Sequence, residues 1–238
     1  MVDSSMIVST LKGRLCNAMF QIATGYALAN RLRVPFAVNF ALSDRRVQQY
    51  KNTVFANVPD TTQVAPTYEE PSFSYSEIPL KDNQLLSGYF QSSKYFQDCK
   101  EQIKKLFILP DVSAPKETVG VHFRRGDYLR MSHVHPVPSN EWYNTAVQST
   151  GLKNVIACTE PADVPYVEGL GYTVNQGSDL EDLVLLSKCD ALVMSNSSYS
   201  WWAAFLGNHK KVIAPKVWFG PSGVKEYQDI YEKEWIQQ

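Results

Sequence analysis

Between Thr118 and Ala214, short apolar runs alternate with helical patterns, and this rhythm limits the fold more than any other feature of the chain. Strands are expected at about Thr118–Phe123, Asn154–Cys158, Tyr172–Val174, Ala191–Met194 and Lys211–Ala214. Helices are expected between and after them, at about Asn140–Thr150, Asp163–Gly169, Asp179–Lys188 and Tyr199–Leu206. Strand–helix alternation of this kind builds βαβ units, and such units stack into a parallel sheet with helices on both faces.

The first half is less regular. A strand is expected at Met6–Thr10, then a helix from about Asn17 to Arg33, with an apolar stripe of Met19, Ile22, Ala23, Tyr26, Ala27 and Ala29 at helical spacing. Pro35–Asn39 reads as a second strand. Pro59, Pro66, Pro71 and Pro79 break any period between Pro59 and Asn83, and an irregular stretch of that length is often functional. Leu85–Gln91 then reads as a strand and Lys94–Phe107 as a helix. Leu109–Lys116 carries two prolines and reads as a linker, which divides the chain into lobes at 1–112 and 113–238. The expected fold class is α/β, with two lobes facing each other across a cleft and a doubly wound, Rossmann-like C-terminal sheet.

The formal net charge is −1, so no global field recruits nucleic acid or an anionic membrane. Any anion must be held by a local cluster, and the sequence offers two. In GVHFRRGDY, a buried strand ends at Phe123 and Arg124 and Arg125 follow at once. Ligands of open parallel sheets bind beyond the carboxyl ends of the strands. Adjacent guanidiniums repel unless partnered, and a diphosphate matches their donor forks; pairing with local carboxylates such as Asp127 is the plainer alternative. The second cluster, Ser195-Asn196-Ser197-Ser198, follows another strand and opens a helix, where free amides and the helix dipole favour an anion. One serine suffices for capping; three around an asparagine, at the same end of the same sheet, point to a phosphate.

The missing patterns narrow the class further. The turn Gly13-Arg14-Leu15-Cys16-Asn17 lacks GxxxxGK[ST], and GxGxxG is missing too, so neither a common phosphate loop nor a nicotinamide cofactor is expected. There is no Asp-x-Asp, no GxSxG, and no His/Cys/carboxylate set at metal-ligand spacing; His133 and His135 form HxH without carboxylate partners. The four cysteines show no CxxC, and Cys158 and Cys189 read as buried free thiols. No stretch approaches the length of a membrane span, and no basic region with an apolar signal core opens the chain, so a soluble, cytoplasmic protein is expected.

Read together, these stretches resemble the α-1,2-fucosyltransferases. HFRRGDY at His122–Tyr128 matches the family's HxRRGDY, SNSSYSWWAAFLG at Ser195–Gly207 its NSSFSWWGAWL-like motif, and LEDLVLLSKCD at Leu180–Asp190 the segment before it. CNAMFQIATGYALA at Cys16–Ala29, SGYFQSSKYF at Ser87–Phe96 and PKVWFG at Pro215–Gly220 extend the likeness along nearly the whole chain. Cys16, Ala18 and Ala203 stand where the family has glycine, glutamine and glycine. Arg14 replaces another usual glycine, although protein O-fucosyltransferases carry a similar GRxGN loop with a functional arginine.

The resemblance implies a two-lobed GT-B-like fold with GDP-fucose in the C-terminal lobe and the acceptor side in the N-terminal lobe. It also implies inversion at the sugar carbon, a glycan hydroxyl as acceptor, and no metal or other cofactor. By motif position Arg125 contacts the β-phosphate, Arg124 and His122 shape that pocket, and Asp127 orients the arginines. Ser197, Ser198 and Tyr199 match the phosphate- and nucleoside-binding stretch, Asp182 a guanine-reading carboxylate, and Asn17 the asparagine of the N-terminal loop. Arg125, Arg14 and His135 are the expected catalytic residues, with Asp127 and Glu141 as alternatives to His135 for the base. A degenerate, non-enzymatic nucleotide- or glycan-binding module, or a transferase of another GDP-linked deoxysugar, would carry the same motifs.

Overall fold

The computed structural model describes residues 5–238 and contains two sheets, in both of which every strand pair is parallel. The chain divides into two units. One runs to Ile108 and takes in Gln228–Tyr231; the other comprises Leu109–Tyr227 and Glu232–Gln238.

The first unit is built on β1 (Met6–Ser9), α1 (Leu15–Leu32), β2 (Phe36–Val38), β3 (Thr67–Glu69), β4 (Asn83–Ser87) and α2 (Lys100–Leu106), with strand order β2-β1-β4-β3. The apolar stripe of α1 is buried at Met19, Ile22, Ala23, Ala27 and Ala29. β3 lies inside the stretch expected to be irregular. Pro66 and Pro71 flank it, and an edge strand with one neighbour tolerates missing donors at its ends. The expected helix over Lys94–Phe107 is only α2, preceded by short 3₁₀ turns. Tyr95 and Phe96 are buried, Tyr95 against Phe90 (5.3 Å) and Phe96 against Phe20 (6.1 Å), and Phe96 takes a non-helical φ of −145°. Ring packing overrides helix propensity here.

In the second unit the elements are β5 (Thr118–His122), α3 (Asn140–Thr150), β6 (Asn154–Cys158), α4 (Val164–Gly169), β7 (Thr173–Val174), α5 (Asp179–Lys188), β8 (Ala191–Val193), α6 (Ser198–Leu206), β9 (Lys211–Ala214) and β10 (Ile236–Gln237). The sheet order is β10-β9-β8-β5-β6-β7. From β5 the chain steps outward through β6 to β7, then returns to β8 and steps the other way. Right-handed crossovers therefore put α3 and α4 on one face and α5 and α6 on the other. Alternation along β5 agrees: Val119, Val121 and Phe123 join the core that includes Tyr143 and Ala146 of α3 and Val167 of α4. Gly120 faces α5 so closely that a Cβ there would lie 2.9 Å from Leu186. His122 shares the face of Gly120, toward α6. β10, two residues long, has no counterpart among the expected strands.

Candidate functional site

β5 and β8 are neighbours, paired Val121↔Val193, and the chain leaves them in opposite directions. A crevice at the carboxyl ends of two such strands is where open α/β sheets bind ligands. The turns that meet there are the arginine turn, 123–127, and the serine turn, 194–198.

One hydrogen bond ties the strand end before the arginine turn to the serine turn. His122 Nδ1 lies 2.9 Å from Ser195 Oγ, and both residues are buried. The Tyr143 hydroxyl donates to the His122 carbonyl at 3.3 Å, and the imidazole packs on the Tyr199 ring at 4.8 Å. Burial, helped by the nearby Arg124 charge, holds the imidazole down at about 3, so the ring is neutral near pH 7. A second tie runs from the Tyr128 hydroxyl to the Asn196 carbonyl at 3.4 Å.

The two arginines are held differently. Arg124 spends both terminal nitrogens on carboxylates, Nη1 on Glu160 and Nη2 on Asp127, and lies 4.9 Å over the Tyr128 ring. Arg125 lies 3.5 Å over the Tyr166 ring, and its buried Nε has no hydrogen-bond partner. The Asp163 Oδ1 atom, 3.6 Å from that nitrogen, balances its charge without using the donor. Asp127 thus orients Arg124, while Asp163 faces Arg125. Asp163 also accepts the Gly126 N–H at 2.9 Å. Gly126 sits at φ +29°, and a Cβ there would collide with the Glu160 carboxylate, so this turn requires glycine.

The segment after β6 therefore grips the arginine turn residue by residue, and the Thr159 hydroxyl adds a bond to the Phe123 carbonyl at 3.1 Å. Sequence reasoning missed Glu160, Asp163 and Tyr166. The signal that would find them is topological: β6 is the partner of β5 in register His122↔Cys158, so residues just past Cys158 lie beside those just past His122.

In the serine turn, Ser197 caps α6 by accepting the Tyr199 N–H at 3.3 Å, and Ser198 is the first residue of the helix. The Asn196 side chain donates to the Trp218 carbonyl at 2.9 Å, while its own Oδ1 is buried without a partner. The Tyr199 hydroxyl donates to the Asp179 carbonyl at the start of α5. Asp182, also on α5, is buried and accepts from Asn175 Nδ2 at 2.6 Å. Burial pushes its carboxyl above the ordinary range, against the lowering by Asn175 and the Gly177 amide.

His135 stacks on Tyr128 at 4.6 Å and lies 5.4 Å from Phe219. Burial, then the Arg124 charge, lowers its pKa, partly offset by Asp127. The second unit thus holds His122, Arg124, Arg125, Asp127, His135, Asp182, Ser197, Ser198 and Tyr199. Arg14 and Asn17 belong to the first, at the start of α1, where Arg14 is exposed and Asn17 Oδ1 accepts from Gln91 Nε2 at 2.9 Å. All four cysteines are buried and none forms a disulfide. Among the described residues no three His, Cys, Asp or Glu side chains are grouped to hold a metal ion, and no helix is long and apolar enough to cross a membrane.

Comparison with known proteins identifies the family and the fold. The profile of glycosyl transferase family 11 matches residues 2–238. An alpha-1,2-colitosyltransferase of Escherichia coli is 23% identical, over 98% of this chain and 99% of that protein. A galactoside alpha-(1,2)-fucosyltransferase 1 of Bos taurus is 25% identical over 82% of this chain, which spans 64% of that relative's length. Among solved structures, fucosyltransferase NodZ from Bradyrhizobium superposes with a TM-score of 0.57 at 14% identity, over 87% of this chain and 94% of that one. A NodZ alpha-1,6-fucosyltransferase crystal soaked with GDP-fucose gives 0.54 at 14% identity, over 86% and 93%. The two parallel sheets are those of a GT-B-like fold.

Proposed function

Because the chain belongs to glycosyl transferase family 11, we propose that it moves L-fucose from GDP-β-L-fucose to the 2-hydroxyl of a galactoside, with inversion and without a metal. The 113–238 lobe binds the donor and the 1–112 lobe supplies the acceptor side. The observation that carries this reading is the buried His122–Ser195 bond, which draws the arginine turn and the serine turn to one strand-end crevice while Arg125 keeps a donor unspent.

In this mechanism the acceptor oxygen attacks the anomeric carbon opposite the departing GDP. Negative charge grows on the β-phosphate. Arg125 and the amides that open α6 at Ser197 and Ser198 stabilise it, the work that a divalent metal does elsewhere. Arg124 and Asp127 fix the shape of the turn, His122 and Tyr199 line the phosphate side, and Asp182 accepts from the guanine edge. His135, kept neutral by its surroundings, is the candidate base, and Arg14 with Asn17 acts from the N-terminal lobe.

The test is transfer from GDP-fucose to a panel of galactosides in excess chelator, with mass detection. A chelator-resistant gain of one deoxyhexose is expected; a strict metal requirement would count against the mechanism. The colitosyltransferase match favours a second reading, transfer of another GDP-linked deoxysugar by the same site. Competing GDP-sugars in the same assay separate the two. Thermal shift provides a donor check, since a nucleotide at a hundred times its Kd adds about 2.7 kcal/mol of stability.

A further inference from the structure

The two turns share a buried hydrogen-bond chain whose proton order follows from its distances. Ser200 Oγ lies 2.9 Å from the Ser195 carbonyl and 3.3 Å from the Ser197 carbonyl. A carbonyl only accepts, so the Ser200 proton goes to one of these oxygens, and toward Ser195 Oγ the Ser200 hydroxyl can then only accept. Ser195 has a single proton and two takers, His122 Nδ1 at 2.9 Å and Ser200 Oγ at 3.3 Å. Hydroxyl-to-hydroxyl bonds are best made at roughly 2.5–3.0 Å, which makes the longer contact the weaker claim on the proton. Ser195 is fully buried, so no solvent offsets a proton spent on the weaker contact. It goes to Nδ1.

A neutral imidazole carries one N–H, and the bond made by one ring nitrogen sets the state of the other. With Nδ1 accepting, the ring proton sits on Nε2. That nitrogen has no partner among the described residues. It belongs to a ring at the carboxyl end of β5, two residues before Arg124 and packed on the first turn of α6.

We propose that Ser195 is a positioning residue that locks His122 in the Nε2–H tautomer, so that His122 offers the donor's diphosphate a neutral hydrogen bond. The inference rests on the donor reading above. The arginines already supply positive charge there. A fixed, uncharged N–H strengthens as charge builds on the departing phosphate and needs no reorganisation when it does.

The test begins with unmodified protein labelled with ¹⁵N-histidine. Long-range ¹H–¹⁵N correlation reads the tautomer, with His122 assigned by the signal lost in His122→Gln. The expected spectrum is a neutral ring protonated at Nε2, whose resonance moves when GDP is added. Ser195→Ala should give mixed tautomers and lower kcat for GDP-fucose by about 10- to 100-fold with KM changed far less, and Ser195→Thr should restore both. An Nδ1–H ring or an imidazolium at neutral pH overturns the proposal. So does an Nε2 resonance that bound GDP leaves unmoved, or a Ser195→Ala protein with the original tautomer and kcat. If Ser195→Ala does not fold, the spectra of the unmodified protein decide. If GDP does not bind, the donor reading fails and the phosphate role fails with it, while the ligand-free spectrum still reports the Ser195 lock separately.

Discussion

The turn after β1 and the turn after β5 occupy equivalent places in their two sheets, yet the balance of neutral and charged braces differs between them. The first is held mainly by neutral groups: Gln21 accepts the Lys12 N–H at 2.7 Å and donates to the Lys12 carbonyl at 3.1 Å, and Gln91 bonds Asn17, with the Asp44 carboxylate adding a bond from the Gly13 N–H. It presents Arg14 at the surface. The second is held by charge, with Asp127, Glu160 and Asp163 around Arg124 and Arg125. Amides fix a backbone without creating a field. Carboxylates aim guanidiniums, at the cost of desolvating them. A turn built in the second way makes sense where a highly charged ligand and developing charge must be met.

The sharpest way to break this contrast is Arg125→Ala. Turnover of GDP-fucose should fall by roughly two to three orders of magnitude, the usual cost of one lost transition-state donor. Circular dichroism should show the fold intact, and near-normal turnover would contradict the assignment.

The neutral His122 makes the β5 turn sensitive to acid. Its folded pKa of about 3 lies below the ordinary value of 6.5, so the unfolded chain binds the proton first as pH falls. The stability from this group is complete above 6.5 and is lost between 6.5 and about 3, at up to about 1.4 kcal/mol per pH unit. Urea titrations across that window should show the slope flattened in His122→Gln; an unchanged slope would mean the ring is protonated in the fold.

For Asp182→Asn, calorimetry should find GDP bound more weakly by about 1.5–3 kcal/mol, the worth of a hydrogen bond to a charged acceptor. UDP, which has no guanine edge for this carboxylate to read, should bind with little change. Equal losses for both nucleotides would remove this residue from base reading.

Arg14→Ala tests the amide-braced turn. Because the side chain is exposed, Tm should hold, and turnover should fall about tenfold, as for one charge-assisted contact. A loss as large as that of Arg125→Ala would erase the contrast between the turns.

How legible this was in the sequence follows the same division. β6, α3, α5 and β9 were readable to the residue, because buried parallel strands and amphipathic helices carry their own periods and caps. The capping box of α5, Ser178 with Glu181, marks its start outright. Both motif turns were readable because their residues are contiguous. The braces Glu160, Asp163 and Tyr166 were not, since they arrive from the segment after β6, more than thirty positions downstream, and only strand order brings them alongside. The shortened α2 escaped for a related reason: Tyr95 and Phe96 obey ring packing, not helical spacing.

The unspent donor on Arg125 and the orphaned Asn196 Oδ1 have a practical consequence for anyone engineering this fold. Ligand-free, both are frustrated groups, so a heat-resistance screen run without nucleotide would reward their replacement by apolar residues. The winners would be sturdier proteins with a silenced crevice, and a selection meant to keep the chemistry must therefore be carried out with nucleotide present.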